Sequence, residues 1–118
     1  MVGREITFKL NKSSVTPGKV ILSVNNLQVA DDRSTTAVNN ISFELREREI
    51  LGIAGVDGNG QRELADTLAG MRKIKAGEIE FHQNYSSIGY IPEDRQKMGL
   101  ILQYSIAQNL ILKAFRKL

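Results

Sequence analysis

The sequence contains no cysteine. Disulfide staples, thiol nucleophiles and cysteine-held metals are therefore excluded together, and the absence suits a reducing compartment. No uninterrupted apolar stretch approaches the roughly 18 residues that a membrane span needs, and no signal-peptide pattern opens the chain. Charge of one sign is also scarce: 16 Lys and Arg face 13 Asp and Glu, a net charge of +3. Such a bias is too small to argue for nucleic acid. Lys113, Arg116 and Lys117 fall at the end of an expected helix, where cations complement the helix dipole. Nucleic acid is not an expected partner. His82 is the single histidine, read as a partly exposed residue at a strand end. What remains is 118 residues, 42% hydrophobic and 25% charged, the profile of one soluble domain and not of a disordered tail. A chain of this length buries roughly two-thirds of its unfolded surface, enough for a core.

Residues 1–19 lack a clear period and end in the turn signal Pro17-Gly18, so they read as a connector. Val20-Ile21-Leu22-Ser23-Val24 is short, β-branched and apolar, and Asn25-Asn26 is expected to close it as a strand. After the polar turn Asp31-Asp32-Arg33-Ser34, Ile41, Phe43 and Leu45 alternate with polar residues. That pattern predicts a half-buried strand antiparallel to the first. Ile50 to Val56 is apolar without alternation, as expected for a strand buried on both faces of a mostly parallel sheet. Glycines follow at 55, 58 and 60, then Leu64, Leu68 and Met71 at helical spacing. Gly77 is expected to end this unit, with Glu78-Ile79-Glu80-Phe81 opening another strand. A further apolar run, Ile88 to Ile91, stops at Pro92. Ser105-Ile106-Ala107-Gln108 has capping-box form and predicts a last helix carrying Leu110, Ile111 and Phe115.

Strand, glycine loop and helix in that order match the phosphate-loop pattern G-x-x-x-x-G-K-[ST] in Gly55-Val56-Asp57-Gly58-Asn59-Gly60. Glycines let the backbone turn sharply and aim its N–H groups at phosphate oxygens, at the positive end of a helix. The side chains that follow depart from the pattern. Gln61 stands where the lysine belongs, Arg62 where the magnesium-binding hydroxyl belongs, and Glu63 comes next. Glutamine donates hydrogen bonds without charge, and losing a charge-assisted bond weakens phosphate binding on the order of tenfold to a hundredfold. Arginine cannot ligate magnesium, although its guanidinium supplies positive charge.

Ala37-Val38-Asn39-Asn40-Ile41-Ser42-Phe43, Arg48-Glu49-Ile50-Leu51-Gly52-Ile53-Ala54-Gly55, the loop through Leu64, and Ile91-Pro92-Glu93-Asp94-Arg95 together resemble the ATP-binding-cassette ATPases. The glutamine-for-lysine loop looks most like the second, degenerate cassette of the two-cassette subunits that energise sugar and nucleoside importers. Met1-Val2-Gly3-Arg4-Glu5 resembles the linker leaving a first cassette. This resemblance implies an α/β P-loop NTPase core with an antiparallel β subdomain. Residues 1–19 would be the inter-cassette linker, and 20–118 the N-terminal part of a cassette that stops before its signature and Walker B motifs.

The resemblance also implies ATP and Mg²⁺ as cofactors, bound weakly or not at all, with Gly55, Asp57, Gly58, Asn59, Gly60, Gln61, Arg62 and Glu63 as the nucleotide-binding set. Glu93 matches the Q-loop residue that reaches the metal; the plain alternative is an acidic turn with an Asp94–Arg95 contact. No ring follows Leu27 to stack on adenine, since the next residues are Gln28-Val29-Ala30-Asp31-Asp32. The connection from Phe81 to Ile88 is shorter than the family leads one to expect. Implied partners are the other cassette of the parent chain or a second copy, and transmembrane permease subunits, on the cytoplasmic side of the membrane. Two alternatives stand beside this: an atypical active P-loop NTPase, and an interaction module docking a permease through Met98, Leu100, Ile101 and Leu102. Those four residues otherwise read as core packing.

Overall fold

A computed structural model describes residues 14–82 and 88–112. Most of the expected linker, the middle of the short connection and the basic residues near the end of the chain, with Phe115, lie outside the described residues. The elements are β1 (Val20–Ala30), β2 (Thr36–Arg46), α1 (Gln61–Leu68), β3 (Ala76–Phe81) and α2 (Ile106–Ile111), with a π-helical turn over Arg95–Gly99. The three strands form one antiparallel sheet in the order β2-β1-β3. The expected antiparallel β1–β2 pair is therefore present. Its turn is held by Asp31, whose carboxylate accepts from the Arg33 and Thr35 amides at 2.9 and 2.7 Å.

Sequence reasoning closed the first strand at Asn25-Asn26, but β1 runs on to Ala30. The reason is a bulge. Leu22 and Val24 are buried, and so are Leu27 and Val29, although the step from 24 to 27 is odd. A strict two-residue period would turn the second pair to the opposite face. The register shifts between Val24 and Leu27, with Asn26 in the left-handed region at φ 49°, and the extra residue returns both halves to one face. Gly77 faces the bulge at φ 87°, inside β3 and not at the end of the preceding unit. A side chain there would meet the carbonyl oxygens of Asn25 and Asn26.

The core is small: Leu22, Val24, Leu27, Val29, Val38 and Leu64, with Phe43, Leu45, Leu68 and Ile79 packed against it. Each fully buried side chain of this size stabilises by about 1.5–3 kcal/mol. Helix α1 lays Leu64 on this face and ends where Gly70 turns left-handed at φ 75°. Beyond it the chain is tied back to the sheet. Arg72 Nη1 donates to the Ala30 carbonyl at 3.0 Å, its Nη2 pairs with Asp32 at 2.6 Å, and the Lys75 amide donates to the Gln28 carbonyl at 2.8 Å. The Arg72 hydrogen bond, with its charge, holds the Asp32 carboxyl below its ordinary pKa.

Two further expectations are corrected. Ile50–Val56 joins no ladder among the described residues; Ile50 is 88% and Val56 70% exposed. A strand buried on both faces needs neighbours on both sides, and the three-stranded sheet offers none there. Ile88–Ile91 is likewise outside the sheet, with Ile91 84% exposed. Met98, Leu100, Ile101 and Leu102 are exposed instead of packed in a core. The capping box is present as read: the Ser105 amide donates to Gln108 Oε1 at 2.8 Å, and the Gln108 amide to Ser105 Oγ at 3.3 Å.

Candidate functional site: the glycine loop and its cavity

The loop begins at Gly55 and ends at Gly60, the N-cap of α1. Gly58 and Gly60 both take φ 85°, a region that favours glycine over any residue with a Cβ. Gly60 is also buried, and a Cβ there would strike the Ala37 backbone carbonyl of β2. The helix start is thereby pressed against the sheet, and its first turn closes with the Leu64 amide on the Gly60 carbonyl at 2.9 Å. Gly60 offers α1 no side-chain cap. The free amides at the start of the helix are therefore available to an anion, and the helix dipole favours one.

A cavity of about 810 Å³ opens here. Of the nine residues expected at the site, eight line it: Gly55, Asp57, Gly58, Gly60, Gln61, Arg62, Glu63 and Glu93. Asn59 does not; its amide donates to the Val56 carbonyl at 3.3 Å within the loop. Gln61 folds back over the loop, Nε2 donating to the Val56 carbonyl at 3.1 Å, in room left by the missing Cβ of Gly55. The contact foreseen between Asp94 and Arg95 is replaced by a cap: Asp94 accepts from the Gln96 and Lys97 amides at 3.1 and 3.0 Å and faces Lys97 Nζ at 3.6 Å. His82 sits at the end of β3 as expected, sharing a 2.7 Å hydrogen bond with Ser23 Oγ and lying 3.4 Å from Glu80.

Two residues that sequence reasoning missed complete the site. Asp66 is buried on α1, and Tyr90 O–H donates to its Oδ1 at 2.8 Å. That bond pushes the Tyr90 phenol above its ordinary pKa, burial and the Asp66 charge add to the shift, and Arg62 opposes it. The other Asp66 oxygen lies 3.9 Å from Arg62 Nε. Tyr90 also lines the cavity, so the 88–93 segment is fastened to the glycine-loop helix. The only sequence signal was a tyrosine within an apolar run.

The ABC transporter family profile matches residues 38–114, well over half of the chain. The chain belongs to the ABC transporter family. Its core is accordingly of the P-loop NTPase class, with an antiparallel β portion. Similar curated proteins include the guanosine import ATP-binding protein of Bacillus subtilis, 41% identical over 99% of this chain and 25% of the relative. The nucleoside import ATP-binding protein of Lactococcus lactis is 34% identical over 99% of this chain and 25% of its own length. A ribose import ATP-binding protein of Clostridium tetani is 39% identical over 99% of this chain and 24% of its own length. The chain thus spans about a quarter of the length of these relatives. The first alignment runs over 128 residues against the 118 of this chain.

ABC ATPase domains bind ATP and Mg²⁺ in general, and this site fits the two unequally. Its backbone suits phosphate: left-handed glycines and an uncapped helix start face an open cavity. Its side chains suit magnesium less well, because the position of the metal-binding hydroxyl is taken by Arg62. Arg62 cannot ligate a cation, and no group of three metal-binding side chains occurs among the described residues. Among the cavity's lining residues Arg62 is the sole base, against Asp57, Glu63 and Glu93. No helix among the described residues is long and apolar enough to cross a membrane.

Proposed function

We infer that this chain is the phosphate-loop part of a degenerate second cassette in the ATP-binding subunit of a nucleoside or simple-sugar importer. The observation that carries this reading is the pairing of a formed glycine cradle with Gln61 and Arg62 in place of charge and metal ligand. Such a site holds nucleotide weakly and regulates transport without hydrolysing. The similar proteins named for guanosine, nucleoside and ribose import support the substrate class.

Gly55, Asp57, Gly58, Asn59, Gly60, Gln61, Arg62 and Glu63 make up the proposed nucleotide seat, and Glu93 is the group that reaches any metal brought in with the nucleotide. A second cassette faces the seat, and the subunit lies on the cytoplasmic face of the membrane. A permease docks on the exposed apolar surface over Leu100, Leu102, Ile106 and Leu110, which borders a groove of about 320 Å³.

The test is calorimetric. Mg-ATP should bind weakly with no turnover above background, and Gln61→Lys should tighten binding on the order of tenfold to a hundredfold by restoring the charge. Magnesium-dependent turnover by the unaltered chain that disappears in Gly60→Val would defeat the degenerate-site reading.

A further inference from the structure

Asp66 is the buried carboxylate of the described residues, and its two oxygens face different partners. One is taken by the Tyr90 hydroxyl at 2.8 Å, the other lies 3.9 Å from Arg62. The second distance exceeds a hydrogen bond, so charge alone retains the guanidinium. The Arg62 side chain is 55% exposed and borders both the glycine-loop cavity and a neighbouring one of about 300 Å³. It is therefore free to swing. As the sole basic side chain lining the glycine-loop cavity, Arg62 decides how well that cavity receives an anion.

We propose that Asp66 is an internal anion that competes with bound phosphate for Arg62, and that Tyr90 sets the strength of that competition. With Arg62 drawn to Asp66, the acidic residues Asp57, Glu63 and Glu93 dominate the cavity and repel phosphate. When phosphate enters, Arg62 turns to it, and Asp66 keeps the Tyr90 hydroxyl as its remaining partner. Tyr90 thus prevents Asp66 from being left buried and unpaired while Arg62 is away, which a lone carboxylate could not tolerate. Asp66 is a positioning residue in this scheme, acting through Arg62. The competition presupposes that the glycine-loop cavity receives nucleotide phosphates, as inferred above.

Mg-ATP titration calorimetry on the 118-residue chain tests it, with Asp66→Asn, Arg62→Ala, the double variant and Tyr90→Phe. Asparagine keeps an acceptor for Tyr90 but releases Arg62, so Asp66→Asn should tighten binding roughly two- to fivefold, the range of a partly exposed ion pair. In the Arg62→Ala background the same substitution should change nothing. Tyr90→Phe frees the second Asp66 oxygen for Arg62 and should weaken binding. Circular dichroism melts establish that each variant is folded. If Asp66 served packing alone, Asp66→Asn would weaken binding in both backgrounds, and that result would overturn the proposal. If Asp66→Asn does not fold, unchanged or tighter binding by Tyr90→Phe overturns it by itself. Binding that is equal in the unaltered chain and Asp66→Asn refutes the competition but leaves the nucleotide seat standing. No binding by any variant refutes both.

Discussion

Gly58 and Gly60 share the same φ of 85°, but only one of them touches the sheet. Alanine at Gly58 has nothing within 4 Å to meet, so its penalty is that of the left-handed backbone, about 1–2 kcal/mol. Alanine at Gly60 carries the same backbone penalty. In addition, its Cβ would run into the Ala37 carbonyl and lie 3.3 Å from Val38 Cγ2. Val38 is a core residue, and the obstructing carbonyl belongs to a strand that cannot yield as a flexible side chain does. Overpacking of this kind adds about 1–3 kcal/mol, for a total of roughly 2–5 kcal/mol. That is a large share of the 5–15 kcal/mol typical of a whole domain. Urea unfolding followed by circular dichroism should therefore give a distinctly lower midpoint for Gly60→Ala than for Gly58→Ala, with similar slopes. Equal midpoints would refute the view that the close approach of α1 to β2, and not loop conformation alone, requires glycine at 60.

Leu27 is fully buried behind the bulge, so Leu27→Ala should cost about 2–5 kcal/mol in the same assay, more than truncation of any exposed leucine. The depressed Asp32 pKa gives a pH signature. Stability from the Asp32–Arg72 contact is complete above the ordinary carboxylate value and is lost as pH falls through the lower folded value. Asp32→Asn should therefore lower the urea midpoint at neutral pH, and the difference from the unaltered chain should shrink as pH falls through the lowered folded value.

Alternation placed Phe43 and Leu45 correctly, because they meet the core on one side and water on the other. It missed the start of β2 at Thr36 and the buried Val38, and Ile41 is exposed because β2 is itself irregular at Asn40. It failed on β1 because a bulge breaks the two-residue period, and an Asn-Asn pair reads as a turn unless the opposing glycine is known. The Ile50–Val56 run illustrates a different gap: composition states that a strand requires cover on both faces, but not whether neighbours are present to supply it. The glycine frame was legible because its spacing is local; seven of the eight residues read for a nucleotide seat line the cavity, as does Glu93, which was chosen by family likeness. The Tyr90–Asp66 bond was invisible: the two residues are 24 positions apart, and an aspartate off the Leu64–Leu68 stripe of a helix reads as solvent-facing.

The bulge has a consequence for pairing errors. Asn26 and Gly77 must coincide across the β1–β3 boundary, because any other residue brought opposite Asn25 and Asn26 would drive a Cβ into their carbonyls. Antiparallel strands with a plain alternating pattern can slide by two residues and keep every side chain on its proper face. Here a two-residue slide would bring Lys75 or Ile79 into the notch that admits only glycine. The pair acts as a lock and tooth: a shifted β1–β3 pairing is rejected by sterics, so the alignment of β3 does not depend on hydrophobic contacts alone to select it.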